Sequence, residues 1–557
     1  MQTAIRNDET PVTPPEARRR LPPWLLPGAV GLVGLTNLVV LAAQAPALVR
    51  SLYLNADNAS ALVLPALASH APAGSVVNLG NHAWYEPWWF MRASVGLADY
   101  RRLWEAAPFV FVLLGFAVVS LCAWWALGRL AGLLCAVALV AASETLREIL
   151  YIPESHGAIV LHVGVLCAAL LGVYRSARAD RLGPAVLLGV GVPLVIFTGA
   201  GLTDQLLLIG GLGPFVLAPL VCWWRFRSAA WRSVSAFALV TGGLSGLLGL
   251  LLTHIMQDNG VVHAPFPIDF VSSEAILVNL GNLLATVAGL GGGGFFGAPA
   301  SGSNLLTFIA GALTLLAFAA VGRALWRWSR PYRRRETGTS AEPRSSQAGL
   351  RELFVAYWGL TLVLVVAVFA LTSVSGATNN GRYLIAAWVA VAALLGILAT
   401  SPPARTALLL AVGLFGLLNV HAELATGVTP AGVGPNQRMA GEIEHYALAH
   451  GASVGYSGYW DAAPVTWETS LRVKVRPVAA CNVPAGLCPY FNNNISTWYA
   501  ARPGIRSFLL TDSRPNIPGA IGGPPASLGS ALSHTELGEG FSIYVYDHDI
   551  AGNLGSE

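Results

Sequence analysis

Long uninterrupted apolar runs constrain this chain more than any other feature. A helix needs roughly 20 apolar residues to cross the hydrocarbon layer of a bilayer. Runs of that kind fall at about 24–48, 106–127, 130–147, 157–174, 183–199, 206–222, 234–254, 304–325, 353–371, 384–399 and 406–422, which makes eleven expected spans. Of the 557 residues 54% are hydrophobic and 11% are charged. A soluble domain carries roughly 25% charged residues, so a water-soluble globule is excluded, as are disorder and a disulfide scaffold. The expected fold class is an α-helical polytopic membrane protein. The first run is longer than the apolar core of a signal peptide, and no small-residue cleavage site follows it.

Basic residues beside the spans give the orientation. Arg18, Arg19, Arg20, Arg129, Arg175, Arg178, Arg181, Arg225, Arg227, Arg232, Arg323, Arg327, Arg330, Arg333, Arg334, Arg335 and Arg405 share one side, whereas the loop 255–303 has no Arg or Lys. This predicts a cytoplasmic N-terminus and, with eleven spans, an outer C-terminus. The chain then divides into a cytoplasmic tail at 1–23, a transmembrane domain at 24–422 and an extracytoplasmic domain at 423–557. The transmembrane part has a large outer loop at 50–105 and an Arg-dense cytoplasmic linker at 326–352. A single lysine, Lys474, among 33 basic residues is a bias of high-GC bacterial genomes. The expected location is therefore a bacterial plasma membrane.

The informative polar residues gather at the outer rim. Asp57 follows the first span in NADNA, and Ala59 to Ser69 has the composition of a short amphipathic helix. His82, Glu86 and Arg92 lie in HAWYEPWWFMR, an aromatic cluster suited to headgroup depth. Glu144, Glu148, Glu154 and His156 stand in SETLREILYIPESHG; the first two are solvated or pair with Arg147. Glu154 and His156 follow Pro153 and precede the fourth span, where an ionisable group is a functional candidate. Arg382 and Tyr383 open the tenth span in NGRYL. A guanidinium at that depth either binds a lipid phosphate bidentately or merely snorkels to the interface.

These motifs resemble the GT-C superfamily of integral-membrane glycosyltransferases, in particular its protein O-mannosyltransferase and aminoarabinose-transferase branch. The resemblance rests on the acid after the first span (Asp57), a second acid between the third and fourth spans (Glu154), and the basic-aromatic pair opening a late span (Arg382, Tyr383). It implies transfer of a sugar from a polyprenyl-phosphate donor to an extracytoplasmic hydroxyl, with inversion. Asp57 would be the general base and Arg382 the phosphate clamp, with Glu154 and His156 orienting the substrates and His82, Glu86 and Arg92 in the cleft wall. The acceptor would be a cell-envelope glycan, lipid or protein; no nucleic-acid partner is expected. Many relatives carry a second acid beside the Asp, and here Asn58 stands there. That favours a metal-free site, with a divalent cation still open. The alternatives are a transporter or flippase of lipid-linked precursors and a non-catalytic glycan-binding relative.

The glycine-rich stretch 291–304 lacks the Lys-Ser/Thr pair of a phosphate-binding loop and reads as a mobile connection. His254, Asp258, His263 and Asp269 match no zinc spacing and read as an exposed loop. Beyond residue 423 the composition becomes that of a soluble α/β domain, with a helix at 437–450 and strands at SVGYS, LRVKVRPV, RSFLLTD and FSIYVYD. Tyr459, Trp460, Asp461, Trp467, Trp498 and Tyr499 form either its core or a sugar-stacking surface. Cys481 and Cys488 bracket a short loop in an oxidising compartment and are expected to form a disulfide. Cys122, Cys135, Cys167 and Cys222 lie in spans as small apolar packers.

Overall fold

The structure, a computed structural model, describes residues 22, 24–52, 56–79, 91, 94–151, 157–202, 204–263, 268–293, 302–330, 345–376, 380–426, 435–482, 486–515, 517 and 519–555. The chain opens with α1 (Leu25–Leu52) and α2 (Ala56–Ala68), followed by α3 (Leu97–Leu127), α4 (Arg129–Val140) and α5 (Glu144–Tyr151). Next come α6 (Ile159–Arg178), α7 (Pro184–Gly201), α8 (Gly213–Phe226), α9 (Ala229–Asp258) and α10 (Ser273–Leu290). The helical part closes with α11 (Gly302–Ser329), α12 (Ser346–Leu371), α13 (Ile385–Leu394) and α14 (Pro402–Thr426). Among the described residues eleven helices are long and apolar enough to cross a membrane. The protein is a polytopic helical membrane protein with a small sheet domain at its C-terminal end.

The membership of the eleven differs from the sequence expectation. The run 130–147 is not one straight helix: α4 and α5 meet at 88°. Twelve residues of α4 reach only about 18 Å, and Glu144, Arg147 and Glu148 turn α5 into a polar helix that cannot continue into hydrocarbon. Ser143 holds the corner, donating its hydroxyl to Leu290 O at 2.7 Å and accepting from Leu146 N at 3.2 Å. Conversely, α10 lies inside the stretch read as an outer loop. Its mean hydropathy of 1.4 is below that of every other candidate span, because Asn279, Asn282 and Thr286 interrupt it.

The contacts of α10 show how it lies. Before it, Phe270 forms an isolated antiparallel bridge with Thr372. Asn279 donates to Ala370 O and Thr372 O at 3.0 Å, Thr286 donates to Asn380 at 3.0 Å, and Leu290 packs beside Gly381. From start to end, α10 thus runs along the single connection between α12 and α13. It lies across that end of the bundle. With the bent pair α4–α5 taken as one passage and α10 as none, eleven passages remain.

Two ends of the bundle are distinct. At one, Gln347 donates to Trp125 O, Arg175 stacks on Trp125, and Arg225 pairs with Glu352 at 3.5 Å and lies over Trp328. The basic C-terminal turns of α6 and α8 and the end of α11 lie there. At the other, strands β1 (Val77–Leu79) and β2 (Val261–His263) pair in parallel. The tenth span, Asn380–Leu398, is α-helical only over α13, with 3-10 turns before and after it. It is the most enclosed of the candidate spans, which explains its short apolar signature.

The C-terminal domain begins with α15 (Pro435–Ala449), β3 (Val454–Ser457) and α16 (Tyr459–Glu468). It continues through β4 (Lys474–Ala480), β5 (Leu487–Pro489), β6 (Asn494–Ile495), β7 (Ser507–Asp512), β8 (Ser533–Gly538) and β9 (Phe541–Tyr546). Six of these strands form a mixed sheet in the order β5-β4-β3-β7-β9-β8. All six residues of β7 are buried, as expected of a central strand covered on both faces, whereas edge strand β8 alternates between partly buried and exposed residues. Strand β6 leaves this sheet and pairs with β1. The domain is thereby stitched to the segment between α2 and α3.

Candidate functional site at the sheet end of the bundle

Three described elements at this end of the bundle carry the candidate residues or their neighbours. The first is α2. Asp57 is its second residue; its side chain lies outside the described ones. The helix is held by Tyr100, whose hydroxyl donates to Ala61 O at 2.9 Å, and by Leu62 and Val63 packing with Trp104 and Trp467. Tyr100 and Trp104 belong to α3, whose 31 residues reach about 46 Å and so outrun a hydrocarbon layer of about 30 Å. The projecting turns of α3 form a post for α2 and for the C-terminal domain. Trp467 meets Tyr100 edge-on at 6.2 Å, and Arg101 lies 3.7 Å from Glu468.

The second element is α5. Its Arg147 pairs with Glu423 of α14 at 3.0 Å and donates to Gln44 of α1 at 2.9 Å, with both charged side chains at most 7% exposed. Arg147 therefore does not take Glu144, which is exposed. Tyr151 stacks on Phe109 of α3 at 4.5 Å. Glu423 was not singled out in the sequence because the last apolar run stops at 422; α14 in fact continues to Thr426. Nothing in the local sequence pairs it with Arg147, which is distant along the chain.

The third element is the 3-10 turn Asn380–Leu384. Arg382 donates to the Tyr383 hydroxyl at 3.0 Å and its guanidinium carbon lies 5.0 Å from the Tyr383 ring centroid. Its Nε–H is buried and has no hydrogen-bond partner. No carboxylate pairs with Arg382 among the described residues. The turn is fixed by an amide ladder: Asn380 donates to Ser375 O at 2.7 Å and accepts from Thr286, and Ser375 donates to Asn279. Asn279, Asn282 and Thr286 recur at helical spacing along α10, within the stretch that the sequence reading takes as an outer loop. Gly381 allows the close approach: a Cβ there would stand 3.1 Å from Ile149 Cδ1 and 3.4 Å from Leu290 Cδ2. The turn, α5 and the end of α10 thus converge at Gly381.

Glu154, His156, His82, Glu86 and Arg92 lie outside the described residues. Among the described residues no three His, Cys, Asp or Glu side chains gather closely enough to hold a metal ion. His254 and Asp258 are exposed and one helical turn apart. In the outer domain Cys481 and Cys488 are joined, with Cα atoms 5.9 Å apart. Asp461 and Trp467 are buried, Asp461 receiving Arg514 at 3.0 Å, so these two belong to the interior.

No family model matches the chain, and no curated protein matches it in sequence. Among solved structures it is similar to an oligosaccharyltransferase from Archaeoglobus fulgidus, crystallised in complex with Zn and sulfate. That match has 12% identity and a TM-score of 0.35, over 77% of this chain and 57% of that one. A second match is the archaeal oligosaccharyltransferase AglB from Archaeoglobus fulgidus in complex with an inhibitory peptide and a dolichol-phosphate. Its identity is 12% and its TM-score 0.38, over 79% of this chain and 64% of that one. The chain thus spans less than two thirds of the length of either.

Proposed function

We propose that this chain is a GT-C-type glycosyltransferase that moves a sugar from a polyprenyl-phosphate donor to a hydroxyl of an extracytoplasmic cell-envelope acceptor. The observation that carries the reading is Arg382. A guanidinium is held at the sheet end of the bundle by an amide ladder, with a buried donor unmet and no carboxylate beside it among the described residues. An arginine in that setting is suited to an oxyanion. In this reading the arginine-rich end of the bundle is cytoplasmic, and the sheet end with the C-terminal domain faces out from a bacterial plasma membrane.

In this reading Arg382 and the Tyr383 hydroxyl bind the donor phosphate. Asp57 accepts the proton of the acceptor hydroxyl as its oxygen attacks the anomeric carbon. The bond from that carbon to the phosphate oxygen breaks, its electron pair stays on the phosphate, and Arg382 stabilises the charge. One displacement inverts the anomeric centre. Glu154 and His156 orient donor or acceptor, and His82, Glu86 and Arg92 line the cleft. A divalent cation is left outside this scheme, and no step is routed through one.

The test is a membrane assay with radiolabelled polyprenyl-phosphate sugars. Arg382→Ala is expected to lower transfer about 100-fold, and Asp57→Asn by at least as much. Equal transfer by the wild type and either variant removes that residue from the scheme. The second reading, a transporter of lipid-linked precursors, is favoured by the broken helix α4–α5 and the enclosed Arg147–Glu423 pair. Movement of labelled lipid across vesicles without transfer would establish it instead.

A further inference from the structure

The transfer scheme makes no use of the Arg147–Glu423 ion pair, and stability alone does not account for it. An enclosed ion pair can often be replaced by apolar side chains of similar volume without loss, because desolvation of the charges offsets their attraction. What such a pair has and an apolar contact lacks is a fixed direction. Arg147 applies it to three helices at once: from α5 it reaches Glu423 of α14 at 3.0 Å and Gln44 of α1 at 2.9 Å.

The other side of α5 bears on the Arg382 turn. Arg147 and Ile149 are two residues apart, which sets them roughly 200° apart around the helix. Ile149 is buried, and a Cβ added to Gly381 would stand 3.1 Å from its Cδ1, 3.4 Å from Leu290 Cδ2 and 3.7 Å from Thr286 Cγ2. The start of α5 is tied to the same Leu290, whose carbonyl accepts the Ser143 hydroxyl at 2.7 Å. With only eight residues, α5 is too short to bend between its two sides.

Gly381 has no side chain by which the amide ladder could hold it. The ladder grips Asn380, and the next backbone step toward Arg382 is set by what packs on Gly381. Packing of that closeness leaves no slack, so a tilt of α5 is felt at the turn.

We propose that Arg147, through its pair with Glu423, is a positioning residue for the Arg382 site: the pair fixes the tilt of α5, and α5 fixes the turn that carries the guanidinium. Its effect on catalysis rests on the transferase reading; the coupling of pair to turn does not. Without the pair the turn takes its working position for part of the time only. Donor binding selects that position, so the donor KM rises by the inverse of that fraction while kcat at saturation is kept. Loss of Arg382 itself acts differently, since it removes charge stabilisation and lowers kcat.

The experiment uses the full chain in nanodiscs and the double variant Arg147→Met with Glu423→Leu, which leaves no stranded charge. Hydrogen exchange of residues 380–384 is expected to quicken by about tenfold, with exchange in α13 unchanged and a melting temperature near that of the wild type. With a radiolabelled polyprenyl-phosphate sugar the donor KM is expected to rise about tenfold and kcat to stay nearly the same. Ile149→Ala, which cuts the link but keeps the pair, should shift exchange and KM in the same direction. Arg147→Lys, which keeps the charge, should restore both. A pair that only stabilises the fold would lower the melting temperature and leave the exchange of the turn and the KM as they are. Wild-type exchange of the turn in the double variant, or faster exchange with a wild-type KM, overturns the proposal. Absence of transfer by the wild type removes the transferase reading instead, and the exchange comparison then decides the coupling by itself.

Discussion

Arg147 and Glu423 form an enclosed ion pair between elements far apart in the chain, and single changes there should be severe. Removing one partner strands the other charge in a poorly solvated place, at a cost of about 3–5 kcal/mol. Arg147→Met and Glu423→Leu alone are each expected to lower the melting temperature sharply in detergent. The double variant is expected to lose much less than the sum, since no stranded charge remains. A second residue-scale expectation concerns Tyr546, whose hydroxyl is buried without a partner. Burial pushes its pKa from 10.0 up to about 12. Below pH 10 both folded and unfolded chains keep the proton, so its contribution is fully present. Between pH 10 and about 12 only the unfolded chain releases it, and stability falls by about 1.4 kcal/mol per pH unit. Tyr546→Phe should remove this slope and cost little at neutral pH, as read by denaturant unfolding across that range.

At the scale of elements, α10 makes the sharpest prediction. Because it runs along the α12–α13 connection, single cysteines at Ile268 and at Gly293 should both react with an impermeant maleimide from the same side. Labelling from opposite sides would make α10 a true span. Its polar stripe also holds the turn that carries Arg382. Asn279→Leu leaves the Ala370 and Thr372 carbonyls unmet, a loss of about 1–3 kcal/mol, and should reduce transfer through misplacement of that turn.

Across the whole molecule, what was legible from the sequence follows from range. The spans show as apolar runs, the strands of the outer domain as short β-branched and aromatic runs, and the basic end as a charge asymmetry. Local periodicity and composition suffice for each. The Ser143–Leu290 hydrogen bond, the lie of α10 and the Arg147–Glu423 pair depend on partners distant in sequence, and a local pattern carries no trace of them. Hydropathy alone shows neither the bend between α4 and α5 within one passage nor that α10, though long enough to cross, runs along the α12–α13 connection. The site shows the same division. Arg382 stands out in the sequence as the one basic residue of its connection, whereas the ladder that fixes it does not.

The three-stranded sheet β2-β1-β6 draws its strands from the first outer loop, the connection after α9 and the C-terminal domain. A ribosome releases these segments in that order, and β6 emerges last. Until the C-terminal domain has emerged and folded, β1 has no partner from it on one edge and α2 lacks the packing of Trp467. The setting of α2, the helix bearing Asp57, is therefore completed only when the chain is nearly finished. Under the proposed transfer scheme, synthesis order would keep a half-made copy inert in the membrane.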